Sequence, residues 1–406
     1  MTSRLRALEH ELSLLRQELS SEKAANAQAK RPTDYVAGEY VAPAVAEDPV
    51  DRDEIFVGPK QSAVTELKVR GRMHYQFGYA ESDDYSDFST LEWRRLRLGV
   101  SGKILDDWSF EIVGNVQTTE SATMLEDAYL RYNGLDWTTI SFEHLRPRFG
   151  AELGISSSAI KTVERSNISN SFDPGKITGL SFAGDYGIFD YQIGAYNGES
   201  GDQRESERTD FVDAAGNRVK EGIPEYLLNA SVGLDFSEQV GLDQLVFRLD
   251  YIDNNDDDGI DQSFGPENAW AASVSLTSGP FNFVAEYVQA ELFNGGELSG
   301  FYLIPSVMLS DKLEAVLRYE SMEGDDGGSI RHQSRYARRV VASAPGVPSA
   351  GVRGEDYWAL YGGVNYYVNK SLKLMFGVEY AELDDIAGTR DSLDTLTGFG
   401  AVRLEF

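Results

Sequence analysis

The 406-residue sequence contains no cysteine, which removes disulfide frameworks, thiolate metal sites and cysteine nucleophiles together. Proline is sparse, at 12 residues, and the four histidines, at 10, 74, 144 and 332, show no metal-ligand spacing. No nucleophile–base motif or phosphate-cradling glycine loop appears, so the residues point to no enzyme and no resident cofactor. Basic residues are also in deficit. The net charge of −29 has the wrong sign for a general nucleic-acid surface, which must replace condensed counterions. No stretch approaches the roughly 18 apolar residues of a membrane-spanning helix, and mean hydropathy is negative. Neither fact excludes a spanning β-barrel, whose strands hide an apolar lipid face behind an alternating polar one. Residues 1–30 lack the apolar core of a secretory signal, and the expectation is that the signal has been removed and numbering begins near the mature end.

What is present favours strands and turns. Aromatic residues make up 11% of the chain and glycine is frequent, at 39 residues. At the start, Leu5, Leu8, Leu12, Leu15 and Leu19 alternate spacings of three and four, the seam of a short coiled-coil helix over 1–23. Two heptads are marginal alone, so this helix bundles only if something else holds the chains together. Residues 24–65, rich in Ala, Pro and acidic side chains, read as a linker.

From 66 to 406 the period becomes two. Leu67, Val69, Met73, Tyr75, Phe77 and Tyr79 share one face and Lys68, Arg70, Arg72, His74 and Gln76 the other. The next segment repeats the pattern, with Leu96, Leu98, Val100 and Ile104 against Arg95, Arg97 and Lys103. A charge facing lipid at mid-membrane costs about 2–4 kcal/mol, so the basic faces must line a lumen. The same rule predicts further strands near 108–117, 124–132, 137–144, 178–186, 189–197, 226–236, 244–252, 267–277, 281–290, 299–309, 312–321, 356–368, 371–381 and 395–406. The expectation is an all-β, 16-stranded antiparallel transmembrane barrel. Tight turns such as 106–107, 187–188 and 310–311 alternate with longer polar loops at 80–92, 145–177, 198–225, 253–266, 322–355 and 382–394, the asymmetry of a bacterial outer-membrane barrel. The closing segment alternates and ends on Phe406, like the terminal strand read by the barrel-assembly machinery.

Four segments, Trp93 to Lys103, Asp127 to Tyr132, Arg146 to Glu152 with Ser156 to Ser158, and Glu164 to Ser166, resemble the phosphate-selective porin O and P family. The resemblance implies a homotrimeric channel in outer-membrane lipid and lipopolysaccharide, with the third long loop folded into the pore as its constriction. It also implies anion preference, with phosphate a candidate. One departure concerns the start of that loop, where Arg146-Pro147-Arg148-Phe149-Gly150 displaces the family's proline by one place.

Selectivity in a wide pore comes from its lining charges. Strand parity turns Lys68, Arg70, Arg72, Arg95, Arg97, Lys103, Arg131, Arg248, Arg318, Lys373 and Arg403 inward, against Glu111, Asp127, Glu143, Asp235, Asp250, Glu286, Glu314, Glu320, Glu379 and Glu405. The totals nearly cancel, so position decides. The first two strands with Arg403 form a basic wall without an inward acid, and the facing loop carries Arg146, Arg148, Lys161 and Arg165. Together they would attract anions where the channel is narrowest. The alternative is that these arginines pair with lumen carboxylates and only brace the barrel. Asn254, Asp256 and Asp258 open like an EF-hand, but Gly265 stands where a bidentate Glu is needed, leaving at most a loose Ca²⁺ site on the outer loops. The functional expectation is a diffusion channel for small hydrophilic solutes. Its rival is a non-conducting barrel whose long loops serve as a surface adhesin or ligand-binding anchor.

Overall fold

The computed structural model describes residues 63–82, 85–116, 125–197, 211–212, 218–219, 226–254, 266–293, 295–325, 330–332, 335–337, 340, 353–386 and 390–406. The coiled-coil helix expected over 1–23, nearly all of the linker and the EF-hand-like segment after Asn254 lie outside them.

The first strands are β1 (Val64–Ser82), β2 (Tyr85–Ile104), β3 (Trp108–Asn115), β4 (Leu125–Tyr132), β5 (Thr139–Leu145), β6 (Ile177–Tyr186) and β7 (Phe189–Asn197). A two-residue pair, β8 (Phe211–Val212) and β9 (Arg218–Val219), stands apart. Then come β10 (Tyr226–Asp235), β11 (Gln244–Asn254), β12 (Pro266–Ser278), β13 (Phe281–Leu292), β14 (Glu297–Ser310) and β15 (Leu313–Gly324). A second small pair, β16 (Ile330–Arg331) and β17 (Arg353–Gly354), precedes β18 (Asp356–Tyr367), β19 (Leu372–Ile386) and β20 (Arg390–Glu405). Sixteen of these form one closed antiparallel barrel in sequence order. Closure pairs β1 with β20, and the backbone groups of Gly71 and Phe406 exchange hydrogen bonds. A closed sheet leaves no backbone edge for the hydrocarbon to strand.

The alternation that predicts the strands also sorts their side chains. Phe77, Leu98, Phe142, Phe247, Leu317 and Phe376 stand exposed outside, while His74, Gln76, Asp250, Glu314 and Arg318 are buried inside. Soluble proteins do the reverse; here the apolar face meets lipid. Aromatic pairs such as Trp108–Tyr132, with ring centroids 5.0 Å apart, and Trp358–Tyr380 at 5.4 Å join neighbouring strands.

Two expected boundaries shift. The segments 80–92 and 382–394, read as loops, are largely strand, because β1 and β2 run to Ser82 and Tyr85, and β19 and β20 to Ile386 and Arg390. There the ladder continues where alternation has faded, since backbone pairing needs no apolar face.

Candidate functional site

Between β5 and β6 the chain leaves the wall and crosses the barrel interior. Pro147, Arg148, Phe149 and Gly150 are buried, and Gly150 takes φ = 73°, a left-handed conformation that suits glycine. A Cβ there would also lie 2.9 Å from the Glu286 carboxylate. One helical turn follows, α1 (Ala151–Gly154), and its first backbone N–H groups have no partner within the turn. The far wall supplies them: Gly150 N donates to Asp250 at 2.9 Å, Ala151 N to Glu286, and Glu152 N to the Tyr302 hydroxyl at 3.0 Å.

A second short helix, α2 (Asn167–Ser171), is held in the same way. Asn167 N and Ile168 N donate to Glu320, at 2.6 and 3.3 Å. Between the helices Glu152 ties the loop to itself, accepting from Ser166 N and from the Ser166 and Ser169 hydroxyls at 2.7–2.8 Å. Hydrogen bonds of this kind strengthen where water is excluded.

The stretch between the helices reaches the walls at β1, β2, β15 and β18–β20. Ser156 and Ser157 accept from Arg72, Lys161 pairs with Glu314, and Glu164 accepts from Gln76 at 2.7 Å and Arg94 at 3.0 Å. Arg318 donates to the Glu164 carbonyl, and Lys373 and Arg403 donate to the carbonyls of Ile160, Thr162 and Val163. At the exit Arg146 holds Asp173 with two nitrogens, and Lys176 pairs with Glu126 and Asp127. Burial pushes Glu164 up, but Arg94 and Arg95 outweigh it and hold the carboxyl well below its usual range. Burial and Arg146 lower Arg165 to about 10, so it stays charged at neutral pH.

The interior is therefore asymmetric. Under the loop, Glu286, Tyr302, Glu314, Arg318 and Glu320 are at most 4% exposed. Beside β1–β4 the inward side chains Arg70, Arg97, Ser101, Glu111 and Arg131 keep solvent contact. The open passage runs along that side.

The predicted pore-lining residues divide accordingly. Lys68 and Lys103 share Glu66 and stand 40% and 59% exposed at the tight-turn end, and Arg70 pairs with Glu111 at 44% exposure. Arg72 bridges Glu405 and the loop serines, Arg97 pairs with Glu126, and Arg131 lies 3.9 Å from Glu143 over the Tyr129 ring. Arg95 and Arg403 differ from the expectation, being 7% and 2% exposed behind the loop and so off the open passage. Arg403 does lie beside β1, where its pairing partner is His74. Of the constriction-loop set, Arg148 salt-bridges Asp190, and Arg165 donates to the carbonyls of Glu152 and Ile155. Asp235, expected in the lumen, is exposed and accepts from Ser237 in the following turn.

The basic wall is also less pure than parity implies. Glu66 and Glu92 both turn inward, and on β4 Glu126 does so beside Asp127. The pairing of β3 with β4 slips between Val113 and Gly114, and that of β1 with β2 slips at His74/Tyr75. A bulge places two residues opposite one and breaks the strict alternation. A second inward segment escaped the sequence reading. His332, Arg335 and Tyr336 belong to a stretch read as an outer loop, yet all three are buried. Arg335 grips Glu92 at 2.7 and 2.8 Å, and the Tyr336 ring fills the space over Gly78, where a Cβ would lie 2.2 Å away. That interior glycine was the available signal.

Comparison with known proteins agrees with this architecture. The outer membrane channel DcaP of Acinetobacter baumannii superposes with a TM-score of 0.54 at 17% identity, covering 86% of this chain and 100% of that one. OprB of Pseudomonas putida gives 0.54 at 11%, covering 84% and 94%, and the anion-selective porin from Comamonas acidovorans 0.53 at 10%, covering 84% and 99%. At such identities the likeness shows the fold. No curated protein sequence matches the chain. The sequence profile of the phosphate-selective porin O and P family matches residues 67–397, which is nearly the whole barrel with its inward loop, and the chain belongs to that family.

Proposed function

We propose that this outer-membrane porin is an anion-preferring diffusion channel whose constriction lies between the 146–176 loop and the wall of β1–β4. One observation carries the reading: cations exceed carboxylates on both sides of the passage. Along β1–β4 the inward face beside the passage carries Lys68, Arg70, Arg72, Arg94, Arg97, Lys103 and Arg131 against Glu66, Glu92, Glu111, Glu126 and Asp127. The loop adds Arg146, Arg148, Lys161, Arg165 and Lys176 against Glu152, Glu164 and Asp173. Most of these cations are paired, which braces the barrel, but pairing does not cancel the excess. In a narrow passage with low-dielectric walls such an excess raises the local anion concentration.

Solvent contact at Arg70, Arg97, Ser101 and Glu111 supports a conducting barrel over a plugged surface anchor. The ligand class consistent with the site is small inorganic or carboxylate anions, phosphate included, and no metal or cofactor is required. The further reading is a homotrimer in lipopolysaccharide-bearing membrane, inserted by the barrel-assembly machinery, with residues 1–23 in the periplasm. Purified protein in a planar bilayer is the test, with stepwise conductance expected. A barrel that inserts without conducting sinks the channel reading and favours the anchor.

A further inference from the structure

Across four neighbouring strands, one row of inward side chains is entirely basic. His74 on β1 pairs with Arg95 on β2 and with Arg403 on β20, and Arg403 pairs in turn with Lys373 on β19. Residues directly opposite on one face of a sheet have Cβ atoms roughly 5 Å apart. All four are buried, at 7% exposure or less. One nearby carboxylate, Glu164, is shared: its hydrogen bonds go to Arg94 and Gln76, and Arg95 and Arg403 feel it only through space, while Glu405 pairs with Arg72, Glu314 with Lys161 and Glu92 with Arg335. Among the described residues Arg95, Arg403 and Lys373 make no salt bridge.

Their hydrogen bonding is equally incomplete. Lys373 and Arg403 reach only neutral loop carbonyls, of Ile160, Thr162 and Val163. Arg95 Nη1, Arg403 Nε and both ring nitrogens of His74 are buried without a protein partner, as is Arg72 Nε one row below. An unpaired acceptor, Gln76 Oε1, lies one row above, but it is neutral and balances no charge. Arginine cannot shed its proton in a protein. Charges buried this deeply require a counter-charge, and donors left unmade cost about 1–3 kcal/mol each.

We infer that a small inorganic anion, halide or phosphate, sits in the row Arg95–His74–Arg403–Lys373 as a fixed structural ligand that locks the 146–176 loop to the wall. It accepts from Arg95 Nη1, Arg403 Nε and a His74 ring N–H, and neutralises cations whose remaining donors already grip the loop backbone. The site lies behind the loop, away from the open passage. It is therefore a brace, distinct from the permeation path and independent of the channel's selectivity.

Two measurements test it on the purified full chain. Crystals grown with bromide, and others with phosphate, should show anomalous or oxyanion density between Arg95, His74 and Arg403, and the arm that shows it identifies the anion. In solution the unfolding temperature of the barrel should climb with the logarithm of bromide or phosphate concentration, and not with gluconate at equal ionic strength. Arg95→Met should abolish that climb; if the variant does not fold, His74→Leu, which removes another of the proposed donors, should flatten it. Density in either arm together with that anion-specific logarithmic climb supports the proposal. Water alone in the row, or equal stability in all three salts, overturns it while leaving the conductance result untouched.

Discussion

Arg318 is 2% exposed and sits against Glu320 and Glu379, with Glu152 4.0 Å away. It also donates to the Glu164 carbonyl, so a single side chain joins β15, β19 and two separate stretches of the inner loop. Removing one partner of a buried charge group costs about 3–5 kcal/mol, because the others are left uncompensated. Arg318→Met should therefore lower the temperature of the heat-induced gel shift clearly, whereas exchange of an exposed lysine such as Lys312 should not. An unchanged transition would show that the network does not hold the loop. Arg70 makes the opposite case. It is 44% exposed in the lumen, so Arg70→Glu should leave stability nearly intact and move the zero-current potential in a salt gradient toward cation preference. No movement would place the selective section elsewhere.

At the scale of elements, the two inward segments answer differently to acid. Glu164 and Asp173 are held below their usual range by arginines that outweigh burial, so their contributions are complete above ordinary carboxylate pKa values and are lost only in stronger acid. His332 is a base whose pKa burial lowers from 6.5 to about 4. The unfolded segment then binds the extra proton between those values, so stability is fully present above about 6.5 and lost as pH falls toward 4. Amide exchange around 330–340, corrected for intrinsic rates, should quicken from pH 7.5 to 4.5 while that around 156–170 stays slow. His332→Gln should remove the difference; if it persists, another group is titrating. The sequence shows where these segments begin but not where they go. Helix α1 is seated by backbone N–H groups on Asp250 and Glu286, a hundred and more residues away, and such bonds leave no local pattern. Parity reads inward charge well along regular strands and fails at the bulges beside Arg94 and Glu126.

For the whole molecule, the strand count and closure were legible because lipid on one side and water on the other force a two-residue period on every strand, and the family through the resemblance of segments such as Trp93 to Lys103. The end of the chain at Phe406 marks the last strand and also sets Arg403 beside His74, although its burial behind the loop could not be read from alternation. If the barrel is a homotrimer assisted by the leucine seam at 1–23, deleting residues 1–30 should weaken the heat resistance of the oligomer on gels without closing the pore. An equally resistant truncated trimer would assign the helix another task. The central claim is that cation excess along β1, β2 and the facing loop makes the passage anion-preferring. The zero-current potential of reconstituted protein in a KCl gradient tests it most directly: a sign corresponding to Cl⁻ preference is predicted, and a sign corresponding to K⁺ preference would contradict it.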